Sequence, residues 1–491
     1  MRPLEQIRDA DTLREIAVFQ QRQLELLTNQ LNTLRRRIEE AAREDAQLIF
    51  LSEVGKLEQQ VAKLEHRAFG DSSERRPSSR PAAEESAAPA RGHGPRQQEL
   101  PVQEKIHALP ESERDCPSCG GTLAEWPGQT EDSDEITVEM RTFHVVRHRR
   151  QKYRCSCNGA VVTAPGPRKL IPGGRYSVEF GVDVGTGKYG DHLPLERQVR
   201  IMAREGLVVT SQTLWDQIEA LAEHLTPSYD ALVKRILASD LVHADETWWR
   251  LMGNTSSPKR WWVWAIATPD AVAYRILASR SAEAAKTILG EYRGTALVDG
   301  YGAYDALSRA SPGLKLAHCW AHVRRKYVEI EAWYPVEAAA ALKLIGELYA
   351  VERSLADALP EQIRRVREER SRPIVTAIRD WALAQRASPE SALRKAIQYM
   401  LGMWAGLTRF LDDPQVPLDN NAVERALRGP VVGRKNHYGS RSKRGTEVAA
   451  LFYSLLETAK LCGVDPKAYL TEAANRAIDV PGSVLLPHDL R

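Results

Sequence analysis

LVHADETWW (residues 241–249) and GTALVDGYGAY (294–304) decide how this chain folds. Each is an apolar run that ends at a carboxylate, Asp245 in the first and Asp299 in the second. Between them, RWWVWAIAT (260–268) and AVAYRILAS (271–279) are rich in Trp, Val, Ile and Tyr, residues suited to a pleated, half-buried surface. SSPK and PD supply the turns, SAEAAKTILGEY (281–292) has helical texture, and LKLAH (314–318) adds a fifth short strand. Three strands, a helix, a strand, a helix and a strand predict a sheet whose first and fourth strands lie side by side at its centre. Asp245 and Asp299 then become neighbours.

This element order is the one expected of a ribonuclease H-like fold. Alternate residues of a strand face opposite sides, so only one of Asp245 and Glu246 is expected to face the site. Asp245 is preferred, being the shorter carboxylate after the apolar run and sharing a face with His243. A third carboxylate lies in PLDNNAVERALR (417–428), where Asp419, Asn420 or Asn421 can cap a helix with Glu424 in its first turn. With Asn421 as the cap, Glu424 becomes the third helical residue and a capping box competes with a site role. The following stretch favours the site: Arg425, Arg428, Arg434, Lys435, Arg441, Lys443 and Arg444 occur with no acid between Arg425 and Arg444, and Tyr438 is interleaved. A carboxylate set against such a run fits a metal ligand beside a bound polyanion. A solvated charge run is the alternative.

The frame around these motifs is a chain of 491 residues with 43% hydrophobic content and a net charge of +3. That length predicts about three domains, and so small a net charge means that any nucleic-acid contact must come from local basic clusters. The N-terminus lacks a signal-peptide core and no apolar run reaches membrane length, so a cytoplasmic protein with no membrane partner is expected. Leu24, Leu27, Leu31, Leu34 and Ile38, then Val54, Leu57, Val61 and Leu64, follow a heptad rhythm that predicts a coiled coil over 1–70 and self-association. An amphipathic helix packed on its own chain is the alternative. Residues 71–104 read as a flexible linker of Ser, Pro, Ala, Arg and Glu.

Four of the six cysteines form two tight pairs, Cys116 with Cys119 and Cys155 with Cys157. In a reducing compartment such pairs favour a structural Zn²⁺ ribbon, here over 105–170. The single residue between Cys155 and Cys157 is a short second knuckle, so His144 or His148 stays open as a substitute ligand. Arg147, Arg149, Arg150 and Lys152 lie in a basic stripe between the pairs, either phosphate contacts or a solvated strand face. Over 171–238, LPLERQVRIMAREG (193–206) with Leu195, Val199, Met202 and Ala203, a glycine turn, and SQTLWDQIEALAEHL (211–225) capped by Thr210 or Ser211 resemble a helix-turn-helix. In HCWAHVRRKY, Cys319 and His322 have metal-pair spacing but no second pair nearby, which favours a structural or DNA-orienting role. Arg324, Arg325 and Lys326 add cations on the same helix.

Across nearly its whole length the chain resembles the long, DDE-type transposases of the insertion sequence 66 family. The resemblance is carried by KLEHRAFGDSSER, CPSCGG, VVTAPGPRKLIPGGRYS, HADETWW, LVDGYGAYDAL, CWAHVRRKY and LDNNAVERALRGPVVGRKN, in that order. It implies that the acidic triad falls on Asp245, Asp299 and Glu424 and that a helical insertion precedes the glutamate. The expected architecture is multidomain α+β: coiled coil, zinc ribbon, helical DNA-binding segment, and a catalytic domain in two segments, 239–331 and 413–491, with the insertion over 332–412 between them. Two Mg²⁺ or Mn²⁺ ions on the triad suit in-line phosphoryl transfer. The partners implied are element ends and target DNA, a second copy of the chain, and companion proteins of the element; when DNA-bound the protein is expected at the nucleoid. A zinc-containing regulator without catalysis and a structure-selective nuclease are the competing classes.

Overall fold

The computed structural model describes residues 107–108, 114, 117–120, 122–124, 141–154, 156, 160–253 and 259–491. The expected coiled coil, the linker, and Cys116, Cys155 and Cys157 lie outside these residues, so the zinc ribbon is represented by fragments alone. The chain divides into two units, one of Met1–Gln30 with Leu57–Arg141 and one of Leu31–Lys56 with Thr142–Arg491. In the first, residues 117–119 form a turn and the Leu123 N–H donates to the Arg114 carbonyl at 2.6 Å.

The second unit opens with a small antiparallel hairpin, β1 (Lys152–Arg154) and β2 (Val161–Thr163). The strand expected through the basic stripe is confined to those three residues, since 141–151 has no regular structure. Three helices follow: α1 (Val178–Tyr189), α2 (Leu195–Arg204) and α3 (Ser211–Leu237). Thr210 caps α3, its hydroxyl accepting the Thr213 N–H at 3.1 Å. Gly206 makes the preceding turn at φ 88°, in the left-handed region that glycine enters without a Cβ penalty. The sequence reading ends the second helix near Leu225, but α3 runs on through Pro227 to Leu237. The extension is held by packing, because Leu214, Ile218, Leu221, Leu225, Leu232 and Ile236 form one wholly buried helical stripe. That stripe shares a single core with the sheet that follows.

The sheet contains β3 (Leu241–Leu251), β4 (Lys259–Thr268) and β5 (Ala271–Leu277), then α4 (Ala282–Leu289), β6 (Thr295–Val298), α5 (Gly302–Ala310) and β7 (Lys315–His318). Its order is β5-β4-β3-β6-β7, with the hairpin strands antiparallel and β6 and β7 parallel to β3 and to each other. The central adjacency expected from the sequence is therefore present. His243 pairs with Leu297, and Asp245 and Asp299 each stand two residues past that rung.

After β7 come α6 (Trp320–Ile330), α7 (Pro335–Arg353), α8 (Pro360–Val366), a π-helical turn Arg367–Ser371, α9 (Arg372–Ala384) and α10 (Ala392–Gly402). They bury a second core around Trp320, Tyr327, Ile345, Leu348 and Met400, so residues 332–412 are helical as expected. Arg367 ties this layer together, bonding Glu352 at 2.9 and 2.7 Å and the carbonyls of Phe410 and Asp413 at 2.7 and 3.0 Å. A π turn shifts the helical phase by one residue, which fits a side chain that must reach inward at one point.

The chain then returns to the sheet as α11 (Asn421–His437), α12 (Lys443–Leu461) and α13 (Pro466–Asp479). Ser454 and Thr458 of α12 accept the Tyr274 and Val272 N–H groups of edge strand β5 at 2.8 and 3.1 Å, covering an edge that is otherwise open to strand addition. Between α11 and α12, the Ser440 N–H donates to the Arg250 carbonyl at 3.0 Å and the Met252 N–H to the Ser440 carbonyl at 2.7 Å. Gly439 sits here at φ 114°, and a Cβ at this position meets the Arg250 carbonyl. Gly439→Ala is expected to cost about 3 kcal/mol or more, from a forbidden φ and a backbone clash together. Urea denaturation midpoints check this; a loss below about 1 kcal/mol means the loop moves aside freely.

Candidate active site

Two carboxylate-bearing groups converge where the middle of β3 meets the end of β6. Ligand atoms of Asp245, Glu246 and Asp299 all lie within 4.8 Å of one another, and those of Cys319, His322 and Glu424 form a second such set. The sequence-predicted aspartates are thus together. Glu424 sits in the neighbouring set, with its Oε1 3.7 Å from His322 Nδ1. The sets act on each other electrostatically: the Glu424 charge raises the Asp245 pKa, and Asp299 acts on His322.

The Asp245 carboxyl is held well above the usual range, first by burial and then by the like charges of Glu246 and Asp299. Its Oδ1 accepts the Glu246 N–H at 2.8 Å, while Asp299 Oδ1 accepts the Tyr301 N–H at 2.9 Å. Backbone donors therefore fix both aspartates and leave their other oxygens free of these bonds. The charges that act most strongly on Asp245 are all acids, so the site concentrates negative charge.

Strand alternation explains Glu246 in part. Its oxygens are taken by Arg280 Nε at 2.7 Å and by the Tyr304 hydroxyl at 2.6 Å, and its side chain is wholly buried. The Arg280 guanidinium lies 3.8 Å from the Tyr301 ring centre and 4.9 Å from that of Trp262, a stacked position suited to a planar cation. Alternation thus gives Glu246 its own partners, yet its carboxylate still stands beside the aspartates, closer than the sequence reading expects. Burial raises its pKa, the Tyr304 bond opposes that rise, the Asp299 charge adds to it, and Arg280 opposes it.

Glu424 is not a capping residue. The helix cap is Asn420, which makes no side-chain cap bond, and Glu424 Oε1 is buried with no hydrogen-bond partner. Asn420 is instead turned across the fold: Nδ2 donates to the Ala244 carbonyl at 2.8 Å, and Oδ1 lies 2.9 Å from His243 Nδ1. Its backbone N–H donates to Cys319 Sγ at 3.2 Å. Cys319 is therefore a buried acceptor, with burial pushing its thiol up to about 12. Burial lowers the His322 pKa against the opposing pull of Glu424, and His322 Nδ1 also lacks a hydrogen-bond partner.

These orphaned atoms bear on a metal. A buried carboxylate oxygen and an imidazole nitrogen without partners are costly unless something satisfies them. Three carboxylates crowded beside them form the hard, anionic donor set that divalent cations such as Mg²⁺ take. The residues present fit such an ion. In EDTA, Asp245→Asn is expected to raise the melting temperature by roughly 2–4 °C, since it removes a carboxylate whose ionisation the fold opposes by burial and like charge. A folded pKa above the unfolded value destabilises the protein at neutral pH; the penalty shrinks as pH falls below that raised pKa and is gone only below the unfolded carboxylate range. Mg²⁺ is expected to raise the wild-type melting temperature and to have little effect on the variant. Equal Mg²⁺ shifts in both, measured by calorimetry, remove Asp245 from the ion site.

The expected DNA-contact residues divide. Arg147, Arg149, Arg150, Lys152, Arg425, Arg428, Lys435, Arg441 and Lys443 are exposed, and Arg324, Arg325 and Lys326 are half-buried on α6. Arg434 and Arg444 are already engaged. Arg434 is buried, donates to Thr247 and the Trp248 carbonyl, and stacks 3.8 Å from the Trp248 ring centre. Arg444 pairs with Glu219 at 3.1 Å, Glu223 at 3.9 Å and Glu447 at 3.4 Å. Of the four zinc candidates only Cys119 is described, as an exposed free thiol. Among the described residues no helix is long and apolar enough to cross a membrane. The sequence reading missed Arg280, Tyr304 and the bridging use of Asn420; Tyr304 and Asn420 stand in the quoted motifs, whereas Arg280 follows β5 with no local signal.

A family model described as "Transposase IS66 family" matches residues 173–448. The chain is 34% identical over 389 residues to the uncharacterized protein y4jD of Sinorhizobium fredii, covering 75% of each chain. It is also 30% identical over 395 residues to y4hP of the same organism, covering 74% of this chain and 71% of the relative.

Proposed function

We propose that this chain, which belongs to the IS66 transposase family, binds the ends of a mobile DNA element and cuts and joins them at a site built on Asp245, Asp299 and Glu424. One observation carries the reading: carboxylates from β3 and the end of β6 meet within 4.8 Å, and Glu424, whose buried Oε1 has no hydrogen-bond partner, stands in the adjoining set. The sheet order supports a ribonuclease H-like catalytic domain over 239–331 and 413–491, with 332–412 inserted into it. Family membership implies DNA as the partner and dependence on a divalent ion.

Asp245, Asp299 and Glu424 would hold Mg²⁺ or Mn²⁺, two ions per site. When bound, such ions polarise phosphoryl oxygens and lower the pKa of water. The protein's own contribution is positioning. Backbone N–H groups hold the two aspartates, Arg280 and Tyr304 hold Glu246 behind them, and Asn420 sets the start of the helix that carries Glu424. In the first step a water oxygen attacks phosphorus in line and the element's 3′ oxygen leaves, ending as a hydroxyl. In the second, that hydroxyl attacks a target phosphodiester and the target's own 3′ oxygen leaves. The exposed cations Arg425 and Arg428 lie on α11, the helix that carries Glu424, and suit phosphate contacts. Two element ends must be held at once, which calls for at least a dimer; residues 1–70, whose heptad pattern predicts a coiled coil, are the segment suited to form it.

Purified protein with Mg²⁺ and DNA carrying the element's terminal sequences is expected to yield 3′-hydroxyl ends and joined products. Binding without cleavage in any divalent ion points to a regulator. Cleavage that neither joins nor depends on the terminal sequence points to a nuclease.

A further inference from the structure

The end of α1, the first turns of α2 and α3 and the loop between α11 and α12 enclose a pocket of about 640 Å³, a volume typical of small-molecule sites. Met252 and Ser440 line it, which places it beyond the end of β3. Asp245 lies seven residues back along that strand, roughly 20 Å away at about 3.3 Å per residue. The pocket is thus separate from the acidic cluster.

Its charge is one-sided. Lys188, Arg197, Arg200 and Arg441 line it against a single acid, Glu196. Among the described residues none of the four cations is paired with a carboxylate. Lys188 is only partly exposed, and burial together with the Arg441 charge pushes its pKa down to about 8. Two like charges held together without a counter-ion disfavour each other unless an anion joins them. The first residues of α3 and the Ser442 cap of α12 also line the pocket, and helix N-termini favour negative charge. Four aromatic side chains line it, of which Tyr189 and His437 are buried and Trp215 and Tyr438 are accessible. Tyr438 is 62% exposed, and its φ of 63° is that of the C-cap of α11, its N–H donating to the Arg434 carbonyl at 2.9 Å.

We propose that this pocket binds one nucleotide unit of a DNA strand, its phosphate on Lys188, Arg197, Arg200 and Arg441 and its base against Trp215 and Tyr438. The inference rests on the reading of the protein as a DNA-processing enzyme, but it does not depend on the metal site. Cations without a carboxylate partner supply the phosphate contact, and aromatic faces supply sequence-tolerant stacking, as on single-strand-binding surfaces.

The test uses the full chain in EDTA with a fluorescein-labelled eight-nucleotide oligo(dT) and an abasic strand of the same length, read by anisotropy at fixed salt. Lys188→Met, which keeps the buried stem, and Arg441→Gln, at an exposed position, are each expected to weaken oligo(dT) binding about 10-fold. Tyr438→Ala is expected to weaken oligo(dT) at least about 5-fold and to leave the abasic strand unchanged. A photo-crosslink from 5-iodouracil in the oligonucleotide is expected on peptides containing Trp215 or Tyr438. Affinities within twofold of wild type for both cation variants, with crosslinks confined to other peptides, overturn the proposal. Equal binding of the abasic and oligo(dT) strands by wild type overturns the base contact. Binding is read in EDTA, where no metal-dependent step runs, so lost oligo(dT) affinity and lost Mg²⁺-dependent cleavage in the end-joining assay are separate outcomes, one for each reading.

Discussion

Asp245→Asn and Asp299→Asn are each expected to lower Mg²⁺-dependent strand cleavage and joining by on the order of 10³-fold, the scale of losing a group that stabilises charge at the reacting centre. The substitutions are close to isosteric. In each variant the introduced amide keeps an oxygen that can accept the same backbone donor, the Glu246 N–H in one case and the Tyr301 N–H in the other, so the strand ends keep their shape. Affinity for element ends should stay within about threefold, because the phosphate contacts lie elsewhere on the surface. Glu424→Gln is expected to act in the same direction. Glu246→Gln should differ: it keeps an acceptor for Tyr304 but removes the charge facing Arg280, so its loss falls on stability first and on rate second. Cleavage assays on end-bearing DNA, with denaturation curves for the same variants, separate the two patterns. Retained strand transfer in Asp245→Asn, Asp299→Asn or Glu424→Gln removes that residue from the catalytic set.

What could be read in the sequence was whatever local pattern controls. LVHADETWW carries its apolar run and Asp245 within β3, and GTALVDGY carries its run in β6 with Asp299 one residue beyond, so the central pairing of the two strands and the meeting of the aspartates followed once the element order was matched to a ribonuclease H-like arrangement. The cap at Thr210 was legible for the same reason. The remainder is set by distant partners. Arg434 looks like any other cation in its basic run, yet its partners Thr247 and Trp248 are 187 and 186 residues away. Arg444 similarly finds Glu219 across 225 residues. No charge pattern along the chain distinguishes these arginines from ones that face DNA. Leu232 and Ile236 extended α3 past Pro227 because the sheet core needed them, a tertiary effect that outweighs a helix-breaking residue. Glu424 lay between two readings until the side chain beside it proved to be occupied elsewhere.

That side chain, Asn420, is the second place where a large effect is expected. It is completely buried and touches three segments at once: β3 one residue before Asp245, the start of α6 through Cys319, and its own helix, where its carbonyl accepts the Glu424 N–H at 3.3 Å. Asn420→Ala leaves the Ala244 carbonyl and His243 Nδ1 buried without these partners. Two such losses should cost about 2–4 kcal/mol, at roughly 1–3 kcal/mol for each unsatisfied group. Because the lost bonds join the strand of Asp245 to the helix of Glu424, the kcat for cleavage should also fall by about 10-fold or more at temperatures where the variant is still folded. KM for end-bearing DNA should change little, since Asn420 is sealed from solvent and meets no substrate. Asn420→Asp gives no rescue: an oxygen replaces the amide that donates to Ala244, and a second charge enters beside Glu424. If Asn420→Ala loses stability but keeps wild-type kcat, the residue serves the fold alone, and the spacing between Asp245 and Glu424 must be set by the packing of α11 on the sheet.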